Sequence, residues 1–198
     1  MRSELLRILA RLTLECSVGE EAGAWAVAAL TADEDTDAIR VLAGFSANTP
    51  REEVTPWLRR VAHDLGVRLP TREESRWILV VFQAREARDL ALAIADGRLG
   101  VVEGSWKLRD LSFARAPVDD ELRALFMPFV AVTTETDHLP VGEDRVNWNP
   151  DVLRAKDEGI RSYEESIRAQ MLPHCRAFAA RVDRDTARLG EFFNPAKT

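Results

Sequence analysis

Apolar residues recur every three or four positions along most of this 198-residue chain, and this spacing constrains the fold more than any other feature. A repeat near 3.6 residues puts the apolar side chains on one face of a helix, whereas a strand needs strict alternation, which is scarce here. The longest stripe follows Thr71 and comprises Trp77, Val80, Ala84, Ala87, Ala91 and Ile94. The sequence therefore predicts an all-α fold.

Residues suited to helix ends divide this pattern into about seven to nine helices. Thr71 and Glu74 have the spacing of a capping box, in which each side chain accepts a hydrogen bond from the other residue's backbone N–H. Gly97 suits the C-terminal end of the same helix. Thr55 followed by Pro56 predicts the start of an earlier helix, because proline favours the first helical position.

Further boundaries are predicted on either side of this region. The first helix is expected to begin after Ser3 and to end at Gly19. Pro128 is expected to end or kink a helix that begins at Asp119, because proline lacks the N–H that a helix interior needs. The longest irregular stretch is predicted over residues 133–149.

A long final helix is predicted to begin at Pro150 and to be kinked near Pro173. No stretch of the chain repeats with matching residues, so a solenoid is not supported. The length suits one compact domain over residues 1–198, with an N-terminal lobe at 1–68 and a helical core at 69–198 as the alternative.

Negative charge is concentrated in one region. The chain has 27 Lys+Arg and 33 Asp+Glu, a net charge of −6, and we do not expect nucleic acid as a partner. Residues 117–144 contain one base, Arg123, and seven acids: Asp119, Asp120, Glu121, Glu135, Asp137, Glu143 and Asp144. Concentrated charge favours encounter with a basic partner, and a solvated loop is the alternative.

Neither the cysteines nor the apolar runs indicate export or membrane insertion. Cys16 and Cys175 match no metal-binding or redox spacing, and we expect free thiols in a reducing cytosol. Charged residues interrupt the N-terminal apolar pattern, unlike the apolar centre of a signal peptide. The strongly apolar run Trp77–Phe82 is too short to span a bilayer. The sequence predicts a soluble, cytoplasmic protein with no membrane partner.

A motif lies in the irregular stretch. The string ETDHLPVG occupies Glu135–Gly142, with Arg145 and Trp148 after it, and LRAKD begins the predicted last helix. The pattern resembles an uncharacterised bacterial family of small helical proteins with an ETDxLPxG, Arg, Trp signature and a Leu-x-x-Lys-Asp helix start. The resemblance covers roughly residues 87–178 and gives Cys175 the place of a family cysteine. It implies a helical fold and a focal surface, without a known reaction.

The motif residues have two alternative roles, binding a partner or ordering the loop. In the ordering role, Glu135 and Asp137 accept hydrogen bonds from Arg145 and from the N-terminus of the last helix, with Trp148 packed beneath them. Lys156 and Asp157 extend this network. Such an ion network can order a loop without adding stability. The candidate residues for both roles are Glu135, Asp137, His138, Asp144, Arg145, Trp148, Lys156 and Asp157.

The sequence favours a non-enzymatic protein-interaction module that needs no cofactor. It would bind a basic partner through residues 119–144, as an immunity-type inhibitor binds a toxin. The alternative is a metal-dependent hydrolase in which Glu135, Asp137 and His138 hold a divalent ion. No phosphate-binding loop, dinucleotide-binding glycine motif or nucleophile elbow is present in the sequence.

Overall fold

The computed structural model describes residues 1–111 and 119–193, except the side chains of residues 142–144. In these ranges the protein is helical and contains no strand. The α-helices are α1 (Arg2–Thr13), α2 (Gly19–Thr31), α3 (Asp37–Leu42), α4 (Arg51–Asp64), α5 (Arg72–Ala95), α6 (Val101–Asp110), α7 (Asp120–Glu135) and α8 (Pro150–Arg188). Two 3₁₀ helices span Gly142–Asn147 and Leu189–Phe193. The predicted all-α fold is confirmed.

The packing forms two compact units. One unit comprises Met1–Phe82 together with Asp185–Thr198, and the other comprises Gln83–Arg184. Because the boundaries fall within α5 and at the end of α8, both helices contribute residues to both units. The expectation of a single domain, or of lobes at 1–68 and 69–198, stays a prediction.

The core of the first unit is built mainly from leucine, alanine and valine. Its largest fully buried side chains are Leu5, Leu6, Ile8, Leu9, Ile39, Leu42, Leu58 and Ile78. Helix α2 closely approaches the segment after α3 at Gly23, where an added Cβ would overlap the carbonyl oxygen of Phe45. Removing such apolar side chains from water provides about 1.5–3 kcal/mol each, so this core stabilises the unit.

The core of the second unit contains an aromatic cluster. The ring of Phe178 lies 6.1 Å from that of Phe126 and 6.0 Å from that of Phe129, between centroids. Gly104 of α6 faces Ile94 of α5, and an added Cβ would lie 2.5 Å from the isoleucine side chain. A glycine is therefore required there for the close approach of these two helices.

The capping box at the start of α5 is confirmed. The backbone N–H of Thr71 donates to Glu74 Oε2 at 2.8 Å, and that of Glu74 donates to Thr71 Oγ1 at 3.2 Å. After α5, Gly97 has a φ of 72°, the left-handed conformation that glycine adopts readily. In the predicted stripe, Trp77 is half-buried and the other five residues are buried.

The first helix is shorter than predicted. It begins at Arg2, with Ser3 already inside it, and ends at Thr13 rather than at Gly19. Glu15 follows with a φ of 67°, so the chain turns without a glycine. Gly19 is instead the first residue of α2.

The predicted start of α4 at Thr55–Pro56 is wrong. The helix begins at Arg51, and the Thr55 hydroxyl donates to the Arg51 carbonyl within the helix. Glu52 and Glu53 lie in its first turn, where carboxylates are favoured by the positive end of the helix dipole.

Three prolines lie inside helices of the described chain: Pro56 in α4, Pro128 in α7 and Pro173 in α8. Helix α7 continues through Pro128 to Glu135, and α8 is continuous through Pro173. An interior proline costs about 3 kcal/mol, whereas each buried Phe or Val provides about 1.5–3 kcal/mol. Phe126, Phe129 and Val132 are buried on α7, and together they outweigh the proline. The prediction of an irregular stretch over residues 133–149 is wrong in two places. Residues 133–135 belong to α7, and Gly142–Asn147 form a 3₁₀ helix.

Candidate functional site

The end of α7 is fixed by hydrogen bonds between side chains. Glu135 is the last residue of α7, and its carboxylate accepts a 2.6 Å hydrogen bond from the Tyr163 hydroxyl. Burial is the main cause that raises the pKa of Tyr163, and the hydrogen bond with the carboxylate of Glu135 raises it further. The buried Thr136 accepts a hydrogen bond from the Trp106 indole at 3.1 Å and donates to the Val132 carbonyl. These contacts join the end of α7 to α6 and α8.

Arg145 anchors the next segment to α8. Its guanidinium pairs with both carboxylate oxygens of Asp157, at 2.7 and 2.9 Å, and also donates to the Pro140 carbonyl. The pairing lowers the pKa of Asp157 below its ordinary value, chiefly through the hydrogen bond. The expected pairing of Arg145 with Glu135 and Asp137 is therefore corrected. The segment is held by an arginine–carboxylate pair, and its acid is Asp157, which was expected only to extend the network.

Trp148 is more exposed than the loop-ordering interpretation predicts. Its side chain is 38% exposed, and it is flanked along the chain by Val146 at 85% and Val152 at 44%. Asn149 accepts a hydrogen bond from the backbone N–H of Asp151 and so begins α8 as predicted. The apolar side chains of this segment are thus partly presented to solvent.

The remaining motif residues form no network with Arg145. Asp137 and His138 are exposed, with 3.7 Å between Asp137 Oδ1 and His138 Nδ1. Lys156 is half-buried on α8 and forms no ion pair with a described residue. The side chain of Asp144 lies outside the described residues. The structure brings together Arg145 and Asp157 from the candidate set and leaves Asp137 and His138 facing solvent.

The proposed metal ligands are not gathered into a binding group. Among the side chains described, no three histidine, cysteine, aspartate or glutamate residues are placed to hold a metal ion. Glu135 is turned towards Tyr163, whereas Asp137 and His138 lie beyond the end of α7. The arrangement offers no observation that favours the hydrolase alternative.

At the other end of α7, the acids are compensated by arginines. Asp119 caps the helix, since its Oδ1 accepts a hydrogen bond from the Leu122 N–H at 2.8 Å. Arg181, whose side chain is 9% exposed, lies 2.7 Å from Asp119 and 2.8 Å from Glu121. Arg184 also pairs with Glu121. The hydrogen bond from Arg181 is the main cause of the lowered pKa of Asp119.

The acids of residues 119–144 consequently do not form one patch. Helix α7 has 16 residues, and at 1.5 Å per residue it separates its two ends by about 24 Å. Asp119 and Glu121 lie at the start, whereas Glu135 and Asp137 lie at or beyond the end. The acidic region was predicted from the charge count over residues 117–144, and the length of α7 places its described acids at two separate ends.

Sequence reasoning missed Arg181 and Tyr163. Arg181 contacts an acid 62 positions earlier in the chain, and Tyr163 contacts one 28 positions earlier. No local spacing marks either pair, so only the packing of α8 against α7 identifies them. The abundance of arginine was the one sequence signal, because arginine suits pairing with carboxylates.

A cavity of about 470 Å³ lies beside Arg145. Its lining residues are Val102, Glu103, Lys107, Pro140, Val141, Arg145 and Ile160. Lys107 pairs with Glu103 at 2.6 Å, and Arg145 pairs with Asp157. Both cations of the lining are therefore already neutralised by carboxylates of the chain.

The cysteines differ in exposure. Cys175 is fully buried, and burial raises the pKa of its thiol to about 11, whereas Cys16 is half-buried. A thiol that stays protonated at neutral pH is a poor nucleophile. Cys175 is accordingly a core residue of the second unit.

No helix in the described parts of the chain combines the length and apolar content needed to cross a bilayer. Comparison with protein-family models, with curated proteins and with solved structures finds no match for this chain. The resemblance to a bacterial family with an ETDxLPxG signature stays a prediction.

Proposed function

We propose that this chain is a non-enzymatic protein-interaction module that binds a basic partner. The contact surface is the segment 135–152, which runs from the end of α7 to the start of α8 and is called here the 135–152 surface. The exposure of Val146, Trp148 and Val152 carries the proposal. Clustered large apolar side chains at a protein surface are typical of interaction sites, and tryptophan often dominates their binding energy.

The charge of the 135–152 surface supports a basic partner. Its sequence contains five acids and one arginine, and that arginine is Arg145, which is paired with Asp157. One of the five acids, Asp151, is paired with Arg154. Asp137 is 71% exposed. Asp119 and Glu121 contribute less, because Arg181 compensates their charge. Exposed carboxylates speed encounter with a positively charged protein.

The hydrogen bonds at this surface support a preformed binding site. Glu135 is held by Tyr163, and Arg145 is held by Asp157. A segment that is ordered before binding loses less conformational entropy when the partner docks. We therefore assign the ordering role to Glu135, Arg145 and Asp157, and the binding role to Asp137 and Trp148.

A more specific form of the proposal is an immunity-type inhibitor of a basic toxin. Nucleases bind phosphate groups through Lys and Arg, so an acidic protein that covers those residues competes with the substrate. This form predicts that co-expression of the chain rescues cells from a toxin encoded beside its gene. Growth arrest that continues despite co-expression contradicts it and leaves the general proposal standing.

The general proposal is tested by capture from a lysate of the native host, with the immobilised protein at low and at high salt. We expect a basic protein that is retained at low salt and released at high salt, because salt screens exposed charges. The variant Asp137→Asn should retain less of it, whereas Asp120→Asn, at the opposite end of α7, should retain as much as the wild type. Retention that is insensitive to salt and to Asp137→Asn contradicts the proposal.

A further inference from the structure

A second cavity, of about 330 Å³, opens at the surface of the first unit. Helices α1 and α4 and the connection before α5 contribute its lining residues: Leu9, Leu12, Thr13, Glu15, Arg51, Thr55, Arg59, Leu69 and Pro70. Ligand-binding cavities measure roughly 300–1,000 Å³ and combine apolar walls with a few polar groups. This cavity has the volume for a small molecule.

Two arginines of α4 flank the cavity. Arg51, Thr55 and Arg59 are spaced four residues apart and therefore lie on one face of the helix. Their α-carbons span about 12 Å along the helix axis, so one group bound between Arg51 and Arg59 is within reach of both side chains. The cavity thus has two arginines of one helix face among its lining residues.

Neither of these arginines has a carboxylate partner among the described residues. The contrast with neighbouring arginines of the same unit is clear. Arg60 pairs with Asp64 at 3.1 Å, and Arg68 pairs with Glu74 at 2.6 Å. Guanidinium groups form paired hydrogen bonds with carboxylates and phosphates, and at Arg51 and Arg59 this capacity is not used within the described chain.

The rest of the lining is mainly apolar. Leu9 and Leu12 come from α1, and Leu69, which is 43% exposed, lies at the cavity together with Pro70. The lining also includes the carboxylate of Glu15, which lies 4.0 Å from the guanidinium of Arg72. An apolar body can therefore cover the leucines while an attached anionic group meets the arginines.

We propose that this cavity binds a small organic anion with an apolar body. The carboxylate or phosphate of the ligand is held by Arg51 and Arg59, and its body packs against Leu69 and the leucines of α1. The bidentate geometry of arginine suits both anionic groups, so the chemistry shared by the two is an oxyanion joined to an apolar group. The site shares no residue with the 135–152 surface and does not depend on the proposed function.

The test is calorimetric titration of the full chain with phenylacetate and with phenyl phosphate, which separate the carboxylate from the phosphate. Two comparison compounds each supply one part of the ligand: benzyl alcohol has the apolar body without the anion, and inorganic phosphate has the anion without the apolar body. We expect saturable binding of at least one aromatic anion, and at least tenfold weaker binding of each comparison compound. The proposal is overturned if neither anion binds, or if benzyl alcohol binds as tightly as the anions.

Variants assign the binding to this cavity. The double variant Arg51→Gln/Arg59→Gln should weaken binding at least tenfold, whereas Arg60→Gln/Arg76→Gln removes the same charge elsewhere in the unit and should leave it unchanged. Leu69→Asp places a negative charge at the cavity and should also abolish binding; since Leu69 is partly exposed, folding should be preserved. Equal affinity in the wild type and in Arg51→Gln/Arg59→Gln overturns the proposal.

Discussion

The guanidinium of Arg181 on α8 lies 2.7 Å from the carboxylate of Asp119, the residue that caps α7. The arginine side chain is 9% exposed, whereas that of the aspartate is 50% exposed. One carboxylate thus both completes the hydrogen bonding of the first turn of α7 and neutralises a nearly buried cation. The start of α7 is fixed to α8 by this pair.

Replacing Asp119 should separate these two contributions. Asp119→Ala removes both the cap and the ion pair and should lower the free energy of unfolding by about 1–2 kcal/mol. Asp119→Asn keeps a capping side chain and should cost less. The measurement is urea unfolding at neutral pH, with the exposed Asp120→Asn as the control. Equal losses for Asp119→Ala and Asp120→Asn would contradict the assigned role of Asp119.

Glu74 should make stability depend on pH. The hydrogen bonds from Arg68 lower the pKa of Glu74 from 4.5 to about 2. A carboxyl group whose pKa is lowered by folding stabilises the folded state when the pH is above its ordinary pKa. This stabilisation is lost as the pH falls towards the lowered pKa. Glu74→Gln should therefore be less stable than the wild type at pH 7, with the difference shrinking between about pH 4.5 and 2.

The control for this prediction is Glu73→Gln, an exposed neighbour in the same helical turn. Thermal unfolding across the pH series measures both variants against the wild type. A Glu74→Gln deficit that is as large at pH 2 as at pH 7 would rule out the ion pair as its cause.

Two glycine substitutions in helices should change stability in opposite directions. At Gly23 of α2, a methyl group meets the backbone carbonyl of Phe45, and Gly23→Ala should cost about 1–3 kcal/mol, as overpacking does. At Gly159 of α8 nothing lies near the added Cβ, and Gly159→Ala should stabilise by about 1 kcal/mol through helix propensity. Urea unfolding of both variants checks the pair. A Gly23→Ala variant as stable as the wild type would contradict the packing described at Gly23, and a destabilised Gly159→Ala would contradict the open space at Gly159.

The Arg145–Asp157 pair should control the order of the 3₁₀ segment. Asp157→Asn removes the charge that holds Arg145, so limited proteolysis should cut residues 141–149 faster than in the wild type. Asp137→Asn should leave the rate of cleavage unchanged, because Asp137 does not contact Arg145. If Asp137→Asn accelerates cleavage as much as Asp157→Asn does, the ordering role belongs to the motif acids instead.

The parts of the fold that local sequence could predict are those governed by neighbouring residues. The capping box of Thr71 and Glu74, the left-handed Gly97 and the stripe of α5 depend on spacings of a few residues. The start of α4 was missed because two signals compete there. Thr55–Pro56 suits a helix start, but the acidic first turn after Pro50 prevails.

The contacts of the candidate residues could not be predicted from the sequence. The motif spans the chain from the end of α7 to the 3₁₀ helix, and an arginine–carboxylate pair among its residues was expected. The actual partners, Asp157 for Arg145 and Tyr163 for Glu135, depend on how α8 packs beside α7. Whether α7 continues through Pro128 depends likewise on buried tertiary contacts, which no local pattern contains.

The central claim is that the 135–152 surface binds a protein partner, and one pair of tryptophan variants tests it most directly. Trp148 is 38% exposed on this surface, and Trp57, on α4 of the other unit, is 37% exposed. The measurement is the Kd of the protein captured from the host lysate for the wild type, Trp148→Ala and Trp57→Ala. We predict that Trp148→Ala raises the Kd at least tenfold, about 1.4 kcal/mol, and that Trp57→Ala leaves it within twofold. Equal Kd values for the wild type and Trp148→Ala would contradict the account.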